Sequence, residues 1–181
     1  LYVDQWDWEL VISREERSIE FLKAVVRKIY EVIKRTERYV AYQYGAVTPF
    51  LPGEIAFIHS EELDVRYPGL TPREREYQLC REHGAVFIIG IGYDLAGGMP
   101  HDGRAPDYDD WSTPSGGGRR GLNGDILVYY PLLDCAYELS SMGIRVDRET
   151  LMRQLEIRNA LERVELPFHR RLLSGELPLS I

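Results

Sequence analysis

At 181 residues the chain has the length of one domain, since domains commonly run to about 100–150 residues, and its 44% hydrophobic, 28% charged and 11% aromatic composition excludes a fibrous or disordered protein. A net charge of −7, from 22 basic and 29 acidic residues, argues against nucleic acid as the main partner, because that binding rests on Lys and Arg neutralising phosphates. No apolar run approaches the roughly 18 residues of a membrane span, and with three acids and no base in the first ten residues no signal peptide is expected.

Leu1 to Leu10 alternates apolar and polar positions and reads as a half-buried strand. Ser13 and Glu16 have capping-box spacing, so a helix is expected to start at Ser13 and run, with an apolar stripe of Ile19, Leu22, Val26, Ile29 and Ile33, to Tyr44 before Gly45. Pro49 and Pro52 confine the next segment to an extended loop. A strand over Glu54–Ile58 follows, then a short helix over Glu61–Tyr67 capped by Ser60. Thr71-Pro72-Arg73-Glu74 is a second capping box, starting a helix to about Arg81, and the apolar run Ala85–Ile91 has the character of a central strand.

From Gly92 to Gly124 the chain carries nine of its 16 glycines, and an irregular loop of that length inside a compact domain is usually functional. Ile126–Tyr130 and Ala136–Val146 form an antiparallel pair around the turn Pro131–Asp134. Asp147 caps a helix around Leu151 and Leu155, and Pro167–Ser174 is a last short helix ended by Gly175. Helices that do not alternate strictly with strands define an α+β domain with a mainly antiparallel sheet flanked by helices. A doubly wound nucleotide fold is the weaker reading, because no G-x-G-x-x-G joins a strand to a helix.

The three lysines, Lys23, Lys28 and Lys34, share one helical stretch, so no lysine follows a Gly-rich turn and phosphate-loop chemistry is excluded. Cys80 and Cys135 form no CxxC, which excludes structural zinc and suggests reduced thiols and a cytoplasmic protein. His59, His83, His101 and His169 are scattered, with no order that suggests a hydrolytic triad.

Three clusters carry candidate chemistry. Period-two geometry places Gln5, Asp7 and Glu9 on one face of the first strand and Trp6 and Trp8 on the other, and a merely solvated polar row is an equal reading. His101 to Trp111 holds four carboxylates and Arg104, able to grip a cation, an ammonium or a phosphate. Its spacing fails the EF-hand pattern; a solvated acidic loop is a fair reading, although its aromatic and proline residues suggest an ordered lid instead. Asp125 and Glu138, on strands joined by a short turn, form a natural Mg²⁺ seat for nucleotide phosphates, with Ser140, Ser141 and Arg145 beside them. A plain surface pairing is the competing reading. Arg145 reaches the same face as Glu138 only across a bulge, expected at Met142-Gly143.

Six stretches resemble the ammonia-dependent asparagine synthetase (aspartate–ammonia ligase) family: YVDQWDWE at Tyr2–Glu9, PFLP at Pro49–Pro52, GAVF at Gly84–Phe87, RAPDYDDWSTPS at Arg104–Ser115, GLNGDILV at Gly121–Val128 and ELSSMGIRVD at Glu138–Asp147. The resemblance implies the catalytic core of the class II aminoacyl-tRNA synthetases. It also implies that residues 1–181 are a single core lacking N-terminal and C-terminal parts of the family domain, and that the full-length family is homodimeric. The implied reaction is ATP-dependent formation of an aspartyl-adenylate, with release of pyrophosphate, followed by attack of ammonia to give asparagine and AMP. By resemblance Gln5 and Asp7 face the adenylate, Gln5, Asp125 and Glu138 bind ATP, and Asp125 and Glu138 hold Mg²⁺. Asp109, Ser140, Ser141 and Arg145 hold aspartate, and Arg104 and Asp109 belong to the active-site loop. An aspartyl- or asparaginyl-tRNA synthetase-like core and a non-catalytic aspartate-binding paralogue are the alternatives.

Overall fold

The structure, a computed structural model, describes residues 7–181. Its elements in chain order are α1 (Ile19–Gln43), β1 (Ala56–His59), α2 (Ser60–Arg66), α3 (Pro72–His83), β2 (Ala85–Ile89), the short β3 (Pro114–Gly116) and β4 (Arg119–Arg120), β5 (Asn123–Tyr130), β6 (Cys135–Gly143), α4 (Arg148–Ile157), a 3-10 segment (Leu161–Glu165) and α5 (Pro167–Ser174). The main sheet has the order β1-β2-β5-β6. The crossover through α2 and α3 makes β1 parallel to β2, while β2 with β5 and β5 with β6 are antiparallel.

Alternation along the central strands sends side chains to two apolar layers. Ala85, Phe87, Ile89, Ile126, Val128 and Met142 pack with Leu22, Val25, Val26 and Tyr30 of α1. Val86, Ile88 and Leu127 point the other way and pack with Leu63 of α2 and Leu79 and Cys80 of α3. Each such side chain, buried in full, contributes about 1.5–3 kcal/mol. A third cluster, Val146, Leu151, Leu155 and Leu172, joins α4 to α5. Burial pushes the Cys80 thiol up to about 12, in keeping with a packing role.

The sequence signals locate each α-helix but not the 3-10 segment, and the structure shifts some of the ends. At Ser13 the half-box forms, its amide donating to Glu16 Oε2 at 2.7 Å. The following residues nonetheless make a turn, and α1 starts at Ile19, where the Ser18 hydroxyl accepts from the Phe21 amide at 3.2 Å. Ser60 is not the cap of α2. His59 takes that place, its Nδ1 accepting from the Glu61 amide at 3.2 Å, while the Ser60 hydroxyl donates to Gly90 O at 2.7 Å and ties α2 to the end of β2. The Thr71–Glu74 box opens α3. Asp147 caps α4 in a reciprocal box with Thr150, and α5 closes at Gly175 in the left-handed conformation, φ 82°.

Asp7–Leu10 is not a strand, and the first six residues of the expected one lie outside the described residues. Beyond it Leu10 and Ile12 pair with the C-terminal segment, Leu10 N donating to Ile181 O at 3.0 Å and Ile12 N to Leu179 O at 2.9 Å. Trp8 is 37% exposed and so is no core residue.

Candidate active site

Asp125 lies one pair up β5 from the apolar layer of α2 and α3. It sits opposite Ser141 on β6, and Leu127 sits opposite Glu138. Between those two pairs the register slips by one residue, because Ile126 pairs with Ser140 and Leu139 is extra. A bulge does intervene, at Leu139–Ser140 rather than at Met142-Gly143. It turns Glu138 to the same side as Ser141, and two further steps of two bring Arg145, just beyond the end of β6, to that side as well. Ser140, opposite Ile126, belongs by alternation to the α1 side, so the structure separates it from the other residues expected to hold aspartate.

The Ser141 hydroxyl bridges the two carboxylates, 2.5 Å from Asp125 Oδ1 and 3.0 Å from Glu138 Oε1. Arg104 arrives from the long loop, its Nη2 donating to both Asp125 oxygens at 2.5 and 2.6 Å and to Ser141 Oγ at 3.2 Å. Burial drives the Asp125 carboxyl up to about 6. The Arg104 charge and the Ser141 hydroxyl oppose that rise, and Glu138 adds to it.

A second ion pair stands beside the first. Asp109 and Arg145 face each other across an isolated antiparallel bridge, with Arg145 Nη1 donating to Asp109 Oδ1 at 2.6 Å. The Arg145 guanidinium lies 3.7 Å from the Tyr108 ring centroid, bonds the Tyr108 hydroxyl at 2.8 Å and approaches Glu9 at 3.6 Å. Burial raises the Asp109 carboxyl above the ordinary range although Arg145 pulls it down. Gly143 allows this approach, because a Cβ there would lie 2.8 Å from Asp109 Cγ and 2.6 Å from Asn123 Cβ. Asp7 is exposed, and Gln5 lies outside the described residues.

The loop from Gly92 to Gly124 is fastened rather than loose. Trp111, Asp110 and Ser112 are completely buried, and β3 and β4 form a small hairpin within it. Gln154 of α4 holds three of its backbone groups, accepting from Trp111 N at 2.9 Å and donating to Pro106 O at 2.9 Å and Asp109 O at 3.0 Å. The motifs do not show what Tyr108 and Gln154 hold. Gln154 did leave a trace, an amide on the apolar stripe of Leu151 and Leu155.

His101 pairs with Glu76, and His169 with Asp107, both buried and both apart from Asp125 and Arg145. Among the described residues no group of three or more His, Cys, Asp or Glu gathers to hold a metal, and no helix is long and apolar enough to cross a membrane.

This α+β core, with its mixed, mainly antiparallel sheet, has the fold of the class II aminoacyl-tRNA synthetase catalytic core. The structure of Entamoeba histolytica asparaginyl-tRNA synthetase in complex with asparaginyl-adenylate is similar at a TM-score of 0.57 and 14% identity, over 95% of this chain and 39% of that one. The sequence decides the family within that fold: the aspartate-ammonia ligase family model matches residues 1–181, and the chain belongs to that family. It is 59% identical over 181 residues to the aspartate–ammonia ligase of Parabacteroides distasonis, covering 100% of this chain and 52% of that protein. It is 56% identical to that of Clostridium perfringens, covering 51% of it. The chain thus spans about half the length of the curated relatives it matches.

Proposed function

We propose that the protein carrying this chain ligates ammonia to L-aspartate through an aspartyl-adenylate, consuming ATP and giving asparagine, AMP and pyrophosphate. The observation that carries the reading is the bulge at Leu139–Ser140, which gathers Glu138, Ser141 and Arg145 on the side of Asp125, beside Asp109. Family membership favours this ligase over a tRNA synthetase core.

Arg145 offers aspartate's side-chain carboxylate a planar fork, with Ser141 on the same side and Asp109, suited to the α-ammonium, paired to it. Gln5 and Asp7 are assigned to the adenylate. Asp125 and Glu138, bridged by one hydroxyl, are an all-oxygen pair that fits Mg²⁺, an ion held by one or two carboxylates together with substrate phosphates. The ion would neutralise phosphate charge there. Arg104, now on Asp125, would serve the same charge when ATP enters. Catalysis of this kind is placement and charge compensation. A cytoplasmic homodimer is the accompanying expectation.

The test is aspartate-dependent pyrophosphate exchange in the full-length protein that carries this chain. Glu138→Gln is expected to raise the Mg²⁺ requirement and cut exchange by orders of magnitude with the fold retained. Unchanged exchange overturns the metal assignment, and absence of exchange in the unmutated protein leaves the aspartate-binding paralogue as the reading.

A further inference from the structure

We propose that Arg17 is a positioning residue for the pair Asp109 and Arg145. The inference rests on the assignment of that pair to aspartate.

Arg17 comes from the turn before α1, far from the loop in sequence, and its side chain is 8% exposed. Its guanidinium reaches three acceptors. Nη1 donates to Arg145 O at 2.5 Å, Nη2 to Asp110 Oδ2 at 2.6 Å, and Nε lies 3.4 Å from Asp147 Oδ2. These acceptors belong to two backbone segments that pair with each other, through Val146 N to Tyr108 O at 2.9 Å and Asp110 N to Ile144 O at 2.8 Å. The bridge of Asp109 with Arg145 lies between those two bonds.

Alternation sends Asp109 and Asp110 to opposite sides of their segment. Arg17 therefore grips the back of the bridge whose front carries the ion pair, and among the described residues its polar partners all lie at the back. The Arg145 backbone is fixed on both its polar groups, its carbonyl by Arg17 and its amide by Ser180 O at 2.8 Å. The anchor itself has no slack, because Asp110 accepts from the Ser112 and Thr113 amides at 3.2 and 2.9 Å and from the Thr113 hydroxyl at 2.6 Å. A fork that binds a carboxylate by two parallel bonds depends on its backbone being held to a fraction of an ångström. A lysine at 17 keeps the charge beside Asp110 but cannot span three acceptors.

The experiment is Arg17→Lys in the full-length protein that carries this chain, read by aspartate-dependent pyrophosphate exchange and by thermal unfolding. KM for aspartate is expected to rise about tenfold, the cost of a small misplacement of a binding group, with KM for MgATP within about twofold and a cooperative unfolding transition retained. Unchanged KM for aspartate, an equal rise in both KM values, or a variant that does not fold each overturns the proposal, the last by making Arg17 a residue of the fold alone. If the unmutated protein shows no aspartate-dependent exchange, it is the function reading that fails.

Discussion

Asp109 and Asp110 are neighbours, both buried, and they differ in what is left for them to bind. Asp110 is 0% exposed and accepts from two amides, a hydroxyl and Arg17, so its carboxylate is spent on the frame. Among the described residues Asp109 meets one donor at bonding distance, Arg145, which also stacks on the half-exposed Tyr108. Asp147, capping α4 behind the bridge, belongs with Asp110 on the side of the frame. A buried carboxylate engaged by several donors holds loops together, whereas one that meets a single cation keeps acceptor capacity for a ligand.

The comparison breaks most sharply at Asp110. Asp110→Ala leaves the Arg17 guanidinium buried without its main partner, and removing one member of a buried pair costs about 3–5 kcal/mol. Urea unfolding should show a loss of that order, while Asp109→Asn, which keeps shape and leaves the frame untouched, should lower stability by far less and abolish aspartate binding. Equal stability losses at both positions would erase the distinction between frame and site.

The front pair gives the next largest effect. Arg145→Lys keeps the charge and loses the planar fork, so aspartate should bind more weakly by roughly 1.5–3 kcal/mol, the scale of a charge-assisted hydrogen bond. Titration calorimetry of the full-length protein should show ATP binding nearly unchanged. Matching losses for both ligands would assign Arg145 to the frame.

Gln154→Leu tests the fastening of the loop. It strands the Trp111 amide and the Pro106 and Asp109 carbonyls, and an unsatisfied buried group costs about 1–3 kcal/mol. Hydrogen exchange at Trp111 should accelerate ahead of exchange in β2 and β5. Uniform acceleration would show that the loop opens only with the whole domain.

These cases also mark what the sequence made legible. The apolar layers follow from periodicity alone, the stripe Leu22, Val26 on α1 and the all-buried run Ala85–Ile89. Asp125, Glu138, Ser141 and Arg145 are legible because they lie on, or just beyond, strands joined by a short turn. The strand spacing requires a bulge but does not place it, since nothing in Leu139 or Ser140 distinguishes them from Met142-Gly143, whose glycine serves the approach of Asp109 instead. The frame was hidden. Arg17 and the pairing of Leu10 with Ile181 join residues far apart in the chain through polar groups and leave no periodic trace, and Gln154 shows only as an amide on an apolar stripe, with no sign of its partners.

The smallest expected effect concerns pH, where frame and site carboxylates have opposite signs. Burial raises Asp147, but the Thr150 amide and hydroxyl and the Arg17 charge outweigh it and hold the carboxyl below its ordinary range. Its contribution to stability is present above the unfolded value and lost as pH falls through the folded one. Asp109 is raised, so its contribution is complete below the unfolded value and lost as pH rises through the folded one. Carbon-13 NMR of the two carboxyl carbons should therefore give a lower midpoint for Asp147 than for Asp109. Asp147→Asn keeps an acceptor at the cap, so the cost at neutral pH should be about 1 kcal/mol or less, while the acid limb of the stability curve flattens. Asp109→Asn should instead remove the loss of stability that accompanies rising pH. A midpoint for Asp109 at or below that of Asp147 would mean that the site carboxylate is as fully engaged as the frame, and the division drawn between Asp109 and Asp110 would not hold in solution.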